Sequence, residues 1–207
     1  MSRDTIASHS APCARQYASA PSSPVRPRDA PVTSGPYGTL PRGMAIDTPL
    51  DAYRDVVRPE WIDHNGHMNM GYYLVVFDLA TDEFMRWVGL DGEHRRTRRI
   101  TTFCLEAHVT YHREVRAGDP LRFTTQLLAH DAKRLHYVHA MYHATEGYLA
   151  ATNELMSLHV ALETRRGATM AAEILARLAD VQAAHDVLPR PPQVGRVIGL
   201  TSRPTTR

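Results

Sequence analysis

One solitary, bulky helix pattern constrains this chain more than any other feature. Leu74, Phe77, Thr81, Phe84 and Val88 recur at steps of three and four, the stripe of an amphipathic helix over residues 70–88. Gly89 supplies its stop. Phe77, Phe84 and Trp87 carry too much apolar volume for a surface helix, so this one must be enclosed. Downstream of Gly89 the patterns turn strand-like. Over residues 102–112, Phe103, Leu105, Ala107, Val109 and Tyr111 alternate strictly with Thr102, Cys104, Glu106, His108, Thr110 and His112. Further strand patterns cover residues 121–129, 135–143 and 148–162, separated by Ala117-Gly118-Asp119-Pro120, His130-Asp131-Ala132-Lys133 and Thr145-Glu146-Gly147. An earlier strand is expected at residues 53–58. One helix and an antiparallel meander bury each other only if the sheet curls around the helix, which predicts an α+β fold. Thr169 stands where it would cap an extra C-terminal helix, with Ala171, Ile174, Leu175, Leu178 and Val181 as its stripe.

Directly before the central helix, Trp61-Ile62-Asp63-His64-Asn65-Gly66-His67-Met68-Asn69 gathers an acid, carboxamides and imidazoles around one glycine. Asp63, Asn65, His67 and Asn69 fall on every second residue and would face one way in an extended loop. A helix start adds undonated N–H groups and a positive dipole end, which together can hold a developing oxyanion. A cap needs only one such residue, and four exceed that need. This is the layout of a reaction site.

Composition narrows the function classes. A chain of 207 residues with 43% hydrophobic content suits one ordinary domain. A formal net charge of +2 is too small to draw nucleic acid or a membrane by bulk electrostatics. Lys133 is the only lysine, so nearly all the positive charge is arginine. No run reaches the length of a transmembrane helix and the N-terminus lacks a secretory core, so a cytoplasmic protein is expected. Cys13 and Cys104 lie in contexts that argue against a structural disulfide. Residues 1–50, rich in Ser, Ala and Pro, are expected to be a disordered tail, the sequence leaving open whether Met1 or Met44 is the true start. The domain is expected at residues 51–163. Residues 164–207 would hold the extra helix and, beyond Asp186, a second disordered tail.

The run from Pro59-Glu60-Trp61 through Asp63 to Asn69, continued by Phe77-Asp78 and Ala80-Thr81-Asp82, resembles the hotdog acyl-CoA thioesterases of the 4-hydroxybenzoyl-CoA thioesterase superfamily. Within that superfamily the chain is similar to the betainyl-CoA thioesterases of carnitine breakdown. The likeness extends through Glu106-Ala107-His108, Arg113-Glu114-Val115 and Asp131-Ala132-Lys133-Arg134-Leu135-His136, covering residues 53–162. It implies a single hotdog domain, a central helix wrapped by a curved antiparallel sheet, that assembles as a homodimer or higher homo-oligomer. It implies hydrolysis of an acyl-CoA ester, a catalytic acid at Asp63, and helix-start amides as the oxyanion hole. Plant acyl-ACP thioesterases carry a similar Asp-x-Asn-x-His pattern, which matches Asp63, Asn65 and His67. Their further catalytic Glu aligns with Thr110, while Glu106 lies four residues earlier on the same face. That face points away from the helix, so Glu106 would reach the chemistry only across a dimer interface or through a bulge.

Thioester hydrolysis needs an activated water or a carboxylate nucleophile, plus stabilisation of the carbonyl oxygen; the thiol leaves with little help. On these terms Asp63 is general base or nucleophile, Asn65 orients, His67 positions water or partners the base, and Asn69 and Met70 offer backbone amides. No cofactor is called for, CoA being part of the substrate. Its phosphates want cations, for which Arg95-Arg96-Thr97-Arg98-Arg99 is the densest run and Lys133-Arg134 a second; a solvated basic loop also accounts for the first. A trimethylammonium acyl group would sit against Trp61, Tyr72 or Tyr73, with Trp87 left to the core. No metal site is expected: His108 and His112 share a face at about 13 Å, and no His-Glu-x-x-His helix occurs. The Gly-x-Ser-x-Gly elbow is absent too. Two rival readings remain. A hotdog hydratase resembles Asp-x-Asn-Pro-x-His, whereas here Gly66 replaces the proline and His67 comes one position sooner. A non-catalytic acyl-CoA-binding protein would need an output module, and neither tail resembles a DNA-reading helix pair.

Overall fold

The structure is a computed structural model that describes residues 46–200. The expectations for the N-terminal tail, for Cys13 and for Met44 lie outside the described residues. Strand β1 (Leu50–Val56) leads through a single 3-10 turn, Pro59–Trp61, to helix α1 (Met70–Val88) and the short helix α2 (Gly92–Arg98). Strands β2 (Ile100–Tyr111), β3 (Pro120–His130), β4 (Arg134–His143) and β5 (Leu149–Ala161) come next, then a two-residue β6 (Arg166–Gly167) and helix α3 (Ala172–His185). The strands form one antiparallel sheet in the order β1-β3-β4-β5-β2, with β6 on β5. The fold is α+β, with α1 held against the sheet's inner face.

Helix α1 occupies the residues its stripe predicts. Asn69 caps its start by accepting the Gly71 N–H at 2.9 Å, and Gly89 ends it in the left-handed region at φ 91°. Phe77 and Phe84 are fully buried, at 0% exposure, in two halves of the core. Around Phe77 gather Trp61, Met68, Tyr73, Val115, Phe123 and Met141; around Phe84 gather Leu127, Tyr137 and the α3 residues Ile174, Leu178 and Val181. Burying a side chain of this size stabilises by roughly 1.5–3 kcal/mol, so α1 dominates both halves.

Several sequence expectations need correction. The alternation of β2 is not continuous, because the register against β5 shifts between Cys104 and Glu106 and leaves Leu105 as a bulge. On the inner face, therefore, Thr102 and Cys104 are followed by Ala107, Val109 and Tyr111, while Phe103 faces outward with Glu106. The arginine run is not a loop. It forms α2, capped by Asp91, with Arg99 as its left-handed C-cap. Thr169 caps nothing: α3 has Ala171 as its N-cap residue, with no side-chain hydrogen bond. β1 begins three residues earlier than expected, at Leu50. Beyond Asp186 the described residues lack helix and strand, but they are anchored: Glu154 Oε2 accepts the Gly195 N–H at 2.7 Å, and Gln126 reaches the Pro189 carbonyl.

Two buried histidines close the core through neutral rings. His185 Nδ1 accepts the Leu127 N–H at 2.9 Å, next to the bulge in β3, and its Nε2 donates to the Asp47 carbonyl at 3.1 Å. His139 lies between Thr81 Oγ1 at 3.0 Å and Thr125 Oγ1 at 2.8 Å, stacked on Phe77. Since Thr81 donates to the Phe77 carbonyl, His139 Nε2 carries the proton and Nδ1 accepts from Thr125. Burial pushes the His139 pKa down to about 3.

This packing sets two measurable outcomes. A Cβ at Gly89 would lie 2.9 Å from Ile174 Cδ1 in a left-handed conformation, so Gly89→Ala is expected to lose about 1–2 kcal/mol in urea unfolding from backbone strain alone. His139 has a folded pKa below its unfolded value of about 6.5, so its stabilising contribution is present above that pH and lost as pH falls toward about 3. Stability should drop on acidification from pH 7 to 4, and His139→Gln should flatten that dependence.

Candidate active site

The polar run hangs from two core anchors. Trp61 and Met68 are both buried, their backbones fixed by the Asn69 N–H on the Trp61 carbonyl and the Met68 N–H on the Val115 carbonyl, each at 2.9 Å. Between them the chain does not extend. Asp63 Oδ1 accepts the Asn65 N–H at 2.8 Å, the Asp63 carbonyl accepts the Gly66 N–H at 3.0 Å, and the Asp63 N–H reaches the His67 carbonyl at 3.1 Å. Gly66, at φ 80°, completes this tight turn, which closes on an Ile62–Met68 bridge. The expected one-sided row of Asp63, Asn65, His67 and Asn69 is thereby overturned. An aspartate that can bond the backbone two residues on favours a turn over an extended loop.

The turn also sets the electrostatics. The Asn65 N–H holds the Asp63 carboxylate below its usual range, and the imidazoles of His67 and His64 add to this, so Asp63 is ionised at neutral pH. His67 is half-buried, with Nδ1 at a long 3.5 Å from the Met68 carbonyl. Of the two expected oxyanion donors, Asn69 spends its N–H on the Trp61 carbonyl and its Oδ1 on the cap, and its side chain also bonds toward the Asp63 carboxylate. Among the described residues the Met70 N–H donates to no protein acceptor, which leaves it as the helix-start donor nearest Asp63 in sequence.

The aromatic candidates separate. Trp61 stacks on Tyr72 with ring centroids 5.8 Å apart, and the Arg58 guanidinium sits 4.7 Å from its ring centre, so Trp61 already holds a cation of its own chain. Tyr73 is buried and meets Tyr111 edge-on at 5.1 Å. The Tyr111 hydroxyl donates to the Met70 carbonyl at 3.1 Å, which brings the end of β2 to the start of α1. Spacing could not reveal this contact of Tyr111, since its pattern matches any strand residue. Glu114, paired with Arg116, which chiefly lowers its pKa, lies near enough to His67 to feel its charge.

Other expected residues lie apart from this turn. Glu106 is exposed on the outward face of β2, five residues before Tyr111 or roughly 16 Å along the strand. The α2 arginines adjoin the start of β2, at the far end of the sheet from Tyr111. Arg98 is paired with Glu173 at 3.3 Å, while Arg95 and Arg96 are exposed. Lys133 and Arg134 share that far end. Asp131 accepts both their N–H groups and pairs with the Arg134 side chain, which holds its own pKa at about 2. Among the described residues no three His, Cys, Asp or Glu side chains are arranged to hold a metal, and no helix is long and apolar enough to cross a membrane.

Comparison with known proteins gives this geometry its context. Residues 57–178 match the Thioesterase-like superfamily. The chain is 45% identical over 151 residues to a betainyl-CoA thioesterase of Pseudomonas aeruginosa, covering 73% of this chain and 95% of that protein. It is 30% identical over 162 residues to an L-carnitine dehydrogenase/betainyl-CoA thioesterase of Rhizobium meliloti; the match takes in 78% of this chain but only 32% of that longer protein. A Staphylococcus aureus protein solved in complex with CoA superposes with a TM-score of 0.70 at 30% identity, covering 76% of this chain and 99% of that one. A thioesterase family match over most of the folded region, on an α+β scaffold of one enclosed helix and one curved sheet, leads to a single conclusion: the chain belongs to the thioesterase-like superfamily and is a hotdog-fold acyl-CoA thioesterase.

Proposed function

We propose that the protein hydrolyses betainyl-CoA to betaine and CoA at the turn before α1. The observation that carries this reading is the pairing of an ionised Asp63 with an undonated Met70 N–H across one tight turn. The thioester oxygen would lie at the Met70 N–H, where the helix dipole favours developing negative charge. Two routes fit Asp63. As a base it takes a proton from water while the water oxygen bonds to the carbonyl carbon and the C–S bond breaks, releasing the thiolate. As a nucleophile its oxygen forms the C–O bond itself, the thiolate leaves, and water then cleaves the acyl–aspartyl anhydride. Asn65 and His67 flank the carboxylate and suit the placing of water. No cofactor is required, and a cytoplasmic location fits a CoA ester as substrate.

The betainyl assignment is supported by the Pseudomonas aeruginosa and Rhizobium meliloti relatives and by the aromatic surface at the helix start. A trimethylammonium group lies only two bonds from the thioester carbonyl, so its aromatic partners must adjoin the oxyanion donor. Tyr73 and Tyr111 do so, whereas Trp61 is occupied by Arg58.

A homodimer would complete the site. β2 is a twelve-residue edge strand, and Leu105, Met70, Leu74 and Val75 expose an apolar band along it and the adjoining face of α1. The opposite edge, β1, has seven residues, of which Asp51, Arg54 and Asp55 are charged, a guarded edge by comparison. Antiparallel pairing of β2 with its copy would set the start of one strand beside the end of the other. That carries the second copy's Arg95 and Arg96 toward this copy's Asp63, an arrangement one chain cannot reach across roughly 36 Å of strand. Glu106 has no part in this mechanism.

Asp63→Asn is expected to lower thiol release from betainyl-CoA by about 10²- to 10⁴-fold while leaving thermal unfolding unchanged; wild-type turnover in the variant would overturn the assignment. Sedimentation should show a dimer, and Leu105→Asp should shift it toward monomer with loss of activity at low protein concentration. A wild-type monomer with full activity would exclude the shared site.

A further inference from the structure

Asn153 is the one side chain among the described residues with both amide atoms, Oδ1 and Nδ2, buried and without a partner. It is 0% exposed, on β5, directly opposite His139 of β4 and Val109 of β2. Cross-strand partners share a face, and the His139 ring reaches Thr81 of α1, so Asn153 lies on the inner floor of the sheet beneath the helix. His139 offers it nothing, since both ring nitrogens are already satisfied by Thr81 and Thr125. A buried carboxamide without partners costs about 1–3 kcal/mol, which a fold does not carry over a Leu or Val without a return.

Its position indicates what that return is. The next inner-face pair toward the start of α1 is Ala151 with Tyr111, one two-residue step or about 7 Å along the strand. Tyr111 in turn bonds the Met70 carbonyl. Asn153 is therefore the polar group next along the floor from Tyr111, with Ala151 and Val109 beside that path and the flexible side chain of Met141, the β4 partner of Ala151, on its other flank. We propose that Asn153 determines acyl specificity: its Oδ1 dipole meets the cationic head of the acyl group. A quaternary ammonium carries no N–H to donate; it is held by aromatic faces and by carbonyl-type oxygens against its polarised methyl groups. A neutral amide supplies that oxygen without a full negative charge, which would need its own counterion in the apolar floor once the product leaves.

The inference rests on the betainyl-CoA reading, and one comparison separates the two. Betainyl-CoA and 3,3-dimethylbutyryl-CoA have the same shape, with carbon replacing the ammonium nitrogen in the second. The wild type should prefer the charged ester; equal kcat/KM on both would overturn the betainyl reading itself. Asn153→Leu should lower kcat/KM for betainyl-CoA by about 5- to 30-fold, the range of two weak contacts between an oxygen and polarised methyl groups, and leave the neutral ester unchanged or improved. Asn153→Asp should retain the preference for the cation. Equal loss on both esters in Asn153→Leu would make Asn153 a structural residue. No loss on either would mean that buried water alone satisfies the amide. Either result overturns the proposal.

Discussion

Enclosure of α1 by a single curved sheet is the constraint on which the rest of the molecule depends. A nineteen-residue helix with Phe77 and Phe84 fully buried cannot lie on a flat sheet with one side in water. The sheet must curl, and its outer strands then end as free edges beside the helix. The helix start emerges at the rim, where Trp61 and Met68 pin the preceding turn into the same core. The position of Asp63, the proposed catalytic acid, is thus set by packing around Phe77, several side chains away.

The turn serves two ends with the same hydrogen bonds. The Asn65 N–H that shapes the backbone around Asp63 also keeps its carboxylate charged. The Asn69 cap satisfies Gly71 and leaves the Met70 N–H without an acceptor. Satisfying one donor at a helix start leaves the demand for an anion concentrated on the amides that stay free. Structural capping and the proposed oxyanion binding are therefore complementary: the cap selects which amide remains.

Much of the fold was legible because its signals are local. Helix α1 is written in its stripe, in Asn69 and in Gly89, and the four later strands are written in alternation and turn residues. What was hidden depends on tertiary context. The bulge at Leu105 adds a residue without changing composition, so a strict alternation still read as one face. α2 is too short for a periodic stripe, and its arginines gave no sign of which end of the sheet they would occupy. At the site, the identity of the acidic loop was readable, but its geometry was not: an extended row and an aspartate turn share one sequence. Tyr111 and Asn153 become notable only once β2 and β5 are paired and their inner faces assigned.

That same bulge has a meaning for assembly. A regular edge strand can slide along a partner in two-residue steps and still satisfy its hydrogen bonds, so it specifies no single alignment. β2 carries an irregularity near its midpoint, and a two-fold pair would contain it twice, facing itself across the axis. Any slipped alignment would set each bulge against regular backbone and strand amides without acceptors on both sides. In the homodimer proposed above, Leu105 would act in this way as a key in a lock made of its own copy, turning a promiscuous edge into one that recognises a single register.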